Sequence, residues 1–110
     1  MNPMKAETCN RVLTETNGFI ISPGYPDLYP PSLDCTFKIN IDDSLLKLAI
    51  FFSKFELESS SSCSNDYVQL DNQPKMCGTK LPNPYFKNSN QMDIRFHTNN
   101  NLEGKNEVRS

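Results

Sequence analysis

The sequence predicts an all-β fold, an antiparallel sandwich of two sheets over one core. Three observations predict it. Apolar residues recur at every second position in several short segments, the period at which the side chains of a strand share one face. Clusters of Pro, Asn, Asp and Ser bound those segments, as the turns between strands require. No stretch carries the 3.6-residue period of an amphipathic helix.

In chain order, Gly18-Phe19-Ile20-Ile21 is a short apolar run that stops at Ser22-Pro23-Gly24. Residues 23–31 hold four prolines in nine positions, which forbids both a helix and a central strand. An extended loop follows, held in part by the rings of Tyr25 and Tyr29. Phe37, Ile39 and Ile41 alternate with Lys38 and Asn40, a half-buried strand. Asp42-Asp43-Ser44 is a turn. Leu46, Leu48 and Ile50 alternate again, and the pattern runs on from Phe51 to Leu57. Ser59–Ser62 is a flexible tip ending at Cys63. Tyr67–Leu70 is a strand and Asp71–Pro74 a turn. Leu81–Asn90 reads as loop, with two prolines and three asparagines. Met92, Ile94 and Phe96 alternate with Asp93, Arg95 and His97, the next strand. The tail from Asn99 is polar.

Composition narrows function. At 110 residues, 36% hydrophobic and 22% charged, the chain makes one soluble domain, expected over 9–110 with residues 1–8 as an extension. No run approaches the ~20 apolar residues of a membrane span. A net charge of −2 with scattered Lys and Arg argues against nucleic acid and against membrane insertion. One histidine, four glycines and no GxGxxG, GxxxxGK[ST] or HExxH motif leave little for catalysis. The composition points to a binding module without catalysis. His97 shares the polar face of its strand with Asp93 and Arg95 and is expected to be solvated.

Four cysteines, Cys9, Cys35, Cys63 and Cys77, with no CxxC pair suggest disulfides rather than zinc. Three pairings are possible. Sequential pairing would close two separate loops without crossing, and a ~15-residue loop contributes about 3 kcal/mol on the chain-entropy model. Disulfides predict an exported protein, yet Met1–Thr8 carries no apolar signal-peptide region. The expectation is a mature form or a fragment.

A family resemblance adds to this reading. Asn17-Gly18-Phe19-Ile20-Ile21-Ser22-Pro23-Gly24-Tyr25-Pro26, then Tyr29-Pro30 and Cys35, resembles the opening of a CUB domain. Phe55-Glu56-Leu57-Glu58 followed by Cys63, Asp66, Val68 and Leu70 is similar to that family's F-x-x-E … C-x-x-D-x-V stretch. Cys77-Gly78 and the Met92, Ile94, Phe96, Thr98 series also agree. The resemblance implies a jelly-roll-like sandwich with disulfides Cys9–Cys35 and Cys63–Cys77. It implies an extracellular or secreted recognition module, or part of a cell-surface ectodomain, that binds protein or glycan. An alternative is an accessory CUB segment of a secreted astacin-like metalloprotease whose catalytic part lies outside this chain. The end departs from the family: Gly104 is followed by Lys105 where CUB domains have a Gly-Phe pair, so the last strand is atypical or truncated.

The resemblance also implies a Ca²⁺ site. Its motif falls on Glu58 and Asp66, with Tyr29 in support. A third acidic ligand is expected where this chain has Asn99, and Asn101 adds a further oxygen. Ca²⁺ takes oxygen ligands and its affinity follows carboxylate count, so the exchange of an acid for Asn99 predicts weak binding. Tyr29, Glu58 and Asp66 are also the expected contacts for a basic side chain of a partner, since ligated carboxylates still accept hydrogen bonds from an ammonium.

Overall fold

The computed structural model describes residues 10–23 and 29–100. These form β1 (Val12–Leu13), β2 (Asp34–Asn40), β3 (Leu48–Ile50), β4 (Tyr67–Leu70), β5 (Tyr85–Lys87) and β6 (Gln91–His97). A single 3₁₀ turn at Ser61–Cys63 occupies the expected serine-rich tip. No α-helix occurs among the described residues.

Two sheets result, one ordered β1-β2-β6-β4 and one made of β3 and β5. The long ladder is antiparallel: Cys35 pairs with Phe96, Phe37 with Ile94 and Ile39 with Met92. That register places the apolar members of both alternating patterns on one face. On the other side of β6, Val68 opposes Phe96 and Leu70 opposes Ile94. The buried cluster comprises Cys35, Phe37, Leu70, Met92, Ile94 and Phe96 from the large sheet with Tyr29, Phe55 and Leu57 from loops. Leu48, Ile50 and Tyr85 of the small sheet pack against it. One core thus lies between two layers, the arrangement that alternating strands demand.

The structure corrects several expectations. The sheets are not wholly antiparallel, because β1 runs parallel to β2, with Val12 opposite Lys38. The alternation after Leu46 yields only the three-residue β3. Phe55 and Leu57 are buried in irregular chain, where Leu57 N–H donates to the Gly78 carbonyl at 2.9 Å. Gly78 has φ +89°, a left-handed conformation that glycine adopts without strain. Residues 81–90 are not all loop: β5 starts directly after Pro84, an allowed place for proline because it donates to no ladder. The apolar run at 18–21, read from sequence only as a run, is irregular chain in which Phe19 is 91% exposed while Ile20 packs at the core margin.

Cys63 and Cys77 are disulfide-bonded, with Cα atoms 5.5 Å apart. Cys35 is also disulfide-bonded; its expected partner Cys9 lies outside the described residues, as do Tyr25 and Asn101. An ion pair joins the two sheets: Lys87 Nζ on β5 meets Asp71 Oδ2, at the exit of β4, at 2.8 Å. Asp71 N–H in turn donates to the Asp93 carbonyl at 2.8 Å, and Asp93 N–H donates to Asp71 Oδ1 at 3.0 Å.

Candidate metal centre and recognition end

Four chain segments meet at one end of the sandwich. Tyr29 comes from the proline-rich loop before β2, Glu58 from the irregular chain after β3, Asp66 from the approach to β4 and Asn99 from the exit of β6. Antiparallel pairing of β6 with both β2 and β4 brings the start of β2, the start of β4 and the end of β6 to the same edge.

Tyr29 is the hub. Its ring lies edge-on to Phe96, with centroids 5.5 Å apart at 75°, which fixes the hydroxyl at the margin of the core. That hydroxyl donates to Asp66 Oδ2 at 2.6 Å and accepts the Glu58 backbone N–H at 3.0 Å. Burial pushes the phenol's pKa well above its ordinary value. The hydrogen bond to Asp66 pushes it the same way, while the Glu58 N–H pulls it back. A buried neutral phenol is the form best suited to donate to a carboxylate.

Asp66 is fully buried, at 0% exposure. A carboxylate in such a place must be hydrogen-bonded, and Oδ1 accepts the Asn99 N–H at 2.8 Å while Oδ2 takes the Tyr29 hydroxyl. Glu58 Oε2 accepts from Asn65 Nδ2 at 3.0 Å, and Asn65 N–H donates to Ser60 Oγ at 3.1 Å. The Cys63–Cys77 bridge closes the same serine-rich segment.

The four expected residues within the described chain are therefore assembled: Tyr29, Glu58, Asp66 and Asn99. Three contributors escaped the sequence reading as site residues. Asn65 holds the Glu58 carboxylate and Ser60 holds Asn65. Thr98, at 1% exposure, donates its hydroxyl to the Pro30 carbonyl at 3.0 Å and accepts the Leu33 N–H at 2.8 Å. Thr98 thus ties the Tyr29 loop to the strand that delivers Asn99. The advance signal for Thr98 was its place in the Met92, Ile94, Phe96, Thr98 series that carries part of the family resemblance.

The donor chemistry fits a hard cation. The phenol bonds the Asp66 carboxylate and the backbone N–H of Glu58, which brings two acid-bearing segments together, and their carboxylates are oxygen donors, the ligand type that Ca²⁺ takes. Among the described residues no three His, Cys, Asp or Glu side chains gather in one place. His97 is elsewhere and is not simply solvated. Its ring stacks on Tyr67 with centroids 5.1 Å apart, its side chain is only 33% exposed, and Nδ1 lies 4.0 Å from Asp34 Oδ1.

Comparison with known proteins agrees with the geometry. The family model for the CUB domain matches residues 9–106. Rat Cubilin is 34% identical over 102 residues, covering 86% of this chain and 3% of that protein. Mouse Tolloid-like protein 1 is 33% identical over 105 residues, covering 88% of this chain and 10% of that protein. The chain therefore spans a small part of the curated relatives it matches. Among solved structures, the CUB1-EGF-CUB2 domains of rat MASP-1 superpose with a TM-score of 0.77 at 28% identity, covering 84% of this chain and 36% of that one. The MASP-1 CUB2 domain bound to Ca²⁺ gives a TM-score of 0.74 at 29% identity, over 84% of this chain and 89% of that one. The matched span, the two-layer sandwich and the Tyr29–Asp66 end lead to one conclusion: this chain belongs to the CUB domain family.

Proposed function

We propose that this chain is a non-catalytic extracellular recognition module whose Tyr29, Glu58 and Asp66 end binds Ca²⁺ weakly and receives a basic side chain of a partner protein. A glycan with a cationic group would meet the same chemistry. The observation that carries this reading is the Tyr29 hydroxyl, which donates to the Asp66 carboxylate and accepts the Glu58 backbone N–H, so that the two acid-bearing segments lie at one end. Glu58, Asp66 and the amide oxygen of Asn99 would hold the ion, with Asn101 adding a further oxygen. The ion would draw the four chain segments together at that end. The carboxylates would keep enough negative charge to accept hydrogen bonds from a lysine or arginine.

Support for an extracellular setting comes from the CUB family and from the disulfide-bonded cysteines, which persist in oxidising compartments. The two-bridge framework Cys9–Cys35 and Cys63–Cys77, and a domain spanning 9–110, belong to this proposal. No helix among the described residues is long and apolar enough to cross a membrane. An origin as the accessory segment of an astacin-like protease is not favoured, since Cubilin and Tolloid-like protein 1 match at nearly equal identity.

The test is thermal unfolding of the oxidised protein in Ca²⁺ and in chelator. A ligand that prefers the native state stabilises it by RT ln(1 + [L]/Kd), about 2.7 kcal/mol at ~100 times Kd. The expected result is a higher Tm in millimolar Ca²⁺ that Glu58→Gln abolishes. An unchanged Tm in wild type removes the ion from the proposal.

A further inference from the structure

The two sheets turn different chemistry toward solvent. On the large sheet the outward positions of β2 and β6 are Asp34, Thr36, Lys38, Asp93, Arg95 and His97, all polar. Along β3 and the chain that flanks it Leu45, Lys47, Ala49 and Phe51 are each exposed, while Leu46, Leu48, Ile50 and Phe52 are partly buried. Phe86, the cross-strand partner of Ala49, joins that exposed series. Leu45 is 88% exposed, Phe51 69% and Phe86 67%, and the two phenylalanine rings meet edge to face at 5.8 Å. A solvated sheet face is ordinarily polar, and a continuous apolar patch marks a contact surface.

Charge on the same face identifies the occupant. Lys47, Leu48, Ala49, Phe86, Lys87 and Asn88 line a shallow groove that holds two ammonium groups and no carboxylate. Lys87 is already met by Asp71, so Lys47 is the cation left to an incoming group. The complement lies in the preceding turn. Asp42 and Asp43 are exposed there, and Leu45 stands out beside them. The turn is held in shape because Leu45 N–H donates to Asp43 Oδ1 at 3.0 Å and Leu46 N–H donates to the Asp43 carbonyl at 3.1 Å. The turn that leads into β3 therefore carries an exposed leucine with exposed carboxylates, and β3 and β5 directly after it carry the groove with its lysine. A surface that holds both halves of a contact is self-complementary, the requirement of a two-fold interface.

We propose that two copies of this chain associate through the β3–β5 face about a two-fold axis, Leu45 of each copy seated against Phe51 and Phe86 of the other. Asp42 of each copy then faces Lys47 of the other. The apolar anchors of each copy are three, Leu45, Phe51 and Phe86, few beside the ~20–30 residues a side of a stable complex, so the dimer is weak and forms at high concentration. This inference is independent of the Ca²⁺ reading, because none of its residues belongs to the Tyr29 end.

Sedimentation velocity of the oxidised protein between about 10 µM and about 1 mM tests it. The weight-average mass is expected to climb from monomer toward dimer. Leu45→Ser and Phe86→Ser should each weaken association about tenfold. Both side chains are largely solvent-exposed, and an unchanged Tm verifies that each variant is folded. Asp42→Lys and Lys47→Glu chains should each stay monomeric alone, yet associate when mixed, since only the mixed pair sets unlike charges opposite each other. Asp43 is left intact because its carboxylate shapes the turn. A monomer throughout the range overturns the proposal. Association that survives Phe86→Ser, or swapped chains that ignore each other, overturns it equally.

Discussion

The hydroxyl of Tyr29 donates to Asp66 Oδ2 at 2.6 Å across 37 positions of sequence. The same oxygen accepts the Glu58 N–H, so one atom connects the two carboxylate-bearing segments. Tyr29→Phe keeps the ring and its contact with Phe96 but deprives a buried carboxylate and a backbone N–H of their shared partner. The expected loss is about 1–3 kcal/mol, read from urea midpoints in chelator. A midpoint equal to wild type would show that the hydroxyl holds nothing.

Stability should fall at alkaline pH in a way that depends on Tyr29. Burial and the Asp66 bond raise its pKa in the folded state, whereas the unfolded chain titrates near the ordinary value of about 10. Above that value the unfolded state releases a proton that the native state keeps, so stability declines as pH rises. The contribution is complete below about pH 10 and is lost progressively above it. Urea midpoints measured across this range should drop less steeply in Tyr29→Phe; parallel curves would contradict the assignment.

Thr98→Val should destabilise despite its near-identical shape. The hydroxyl donates to the Pro30 carbonyl and accepts the Leu33 N–H, and valine leaves both groups without it. The cost is expected at about 1–3 kcal/mol, with Thr98→Ser retaining most of the lost stability. A loss in Thr98→Ser with none in Thr98→Val would mean that the methyl group, not the hydroxyl, anchors the loop.

Asn99→Asp should strengthen any response to Ca²⁺. It adds a third carboxylate where the family motif expects one, and carboxylate count tunes affinity. In chelator the same change puts a like charge beside buried Asp66, whose Oδ1 already takes the Asn99 N–H, and should lower Tm. The two opposite shifts form the signature; a variant that loses Tm in chelator and gains nothing from Ca²⁺ would separate Asn99 from the ion.

Long alternating segments were readable because their information is local. The β6 pattern of Met92, Ile94 and Phe96 predicts its own buried face, and Tyr67–Leu70 has the bounds read from sequence. The short strands carry no such pattern. Val12–Leu13 is defined only by pairing with Lys38 and Ile39, and Tyr85–Lys87 only by pairing with Leu48–Ile50. His97 shows the same limit, since its stacking on Tyr67 depends on β4 lying beside β6. At the site, Tyr29, Glu58 and Asp66 became visible through family resemblance. The work of Asn65 and Thr98 did not, because their hydrogen bonds exist only once distant segments have met.

The Tyr29–Asp66 bond also gives the molecule an optical reporter. The chain has four tyrosines and no tryptophan, so its emission beyond the weak phenylalanine band is phenolic. A carboxylate hydrogen-bonded to a phenol drains its excited state by drawing off the proton, so Tyr29 should be dim in the native fold. A cation that seats on Asp66 withdraws that proton acceptor and should brighten the signal. Occupancy of this end can thus be followed by label-free fluorescence titration of the unmodified chain.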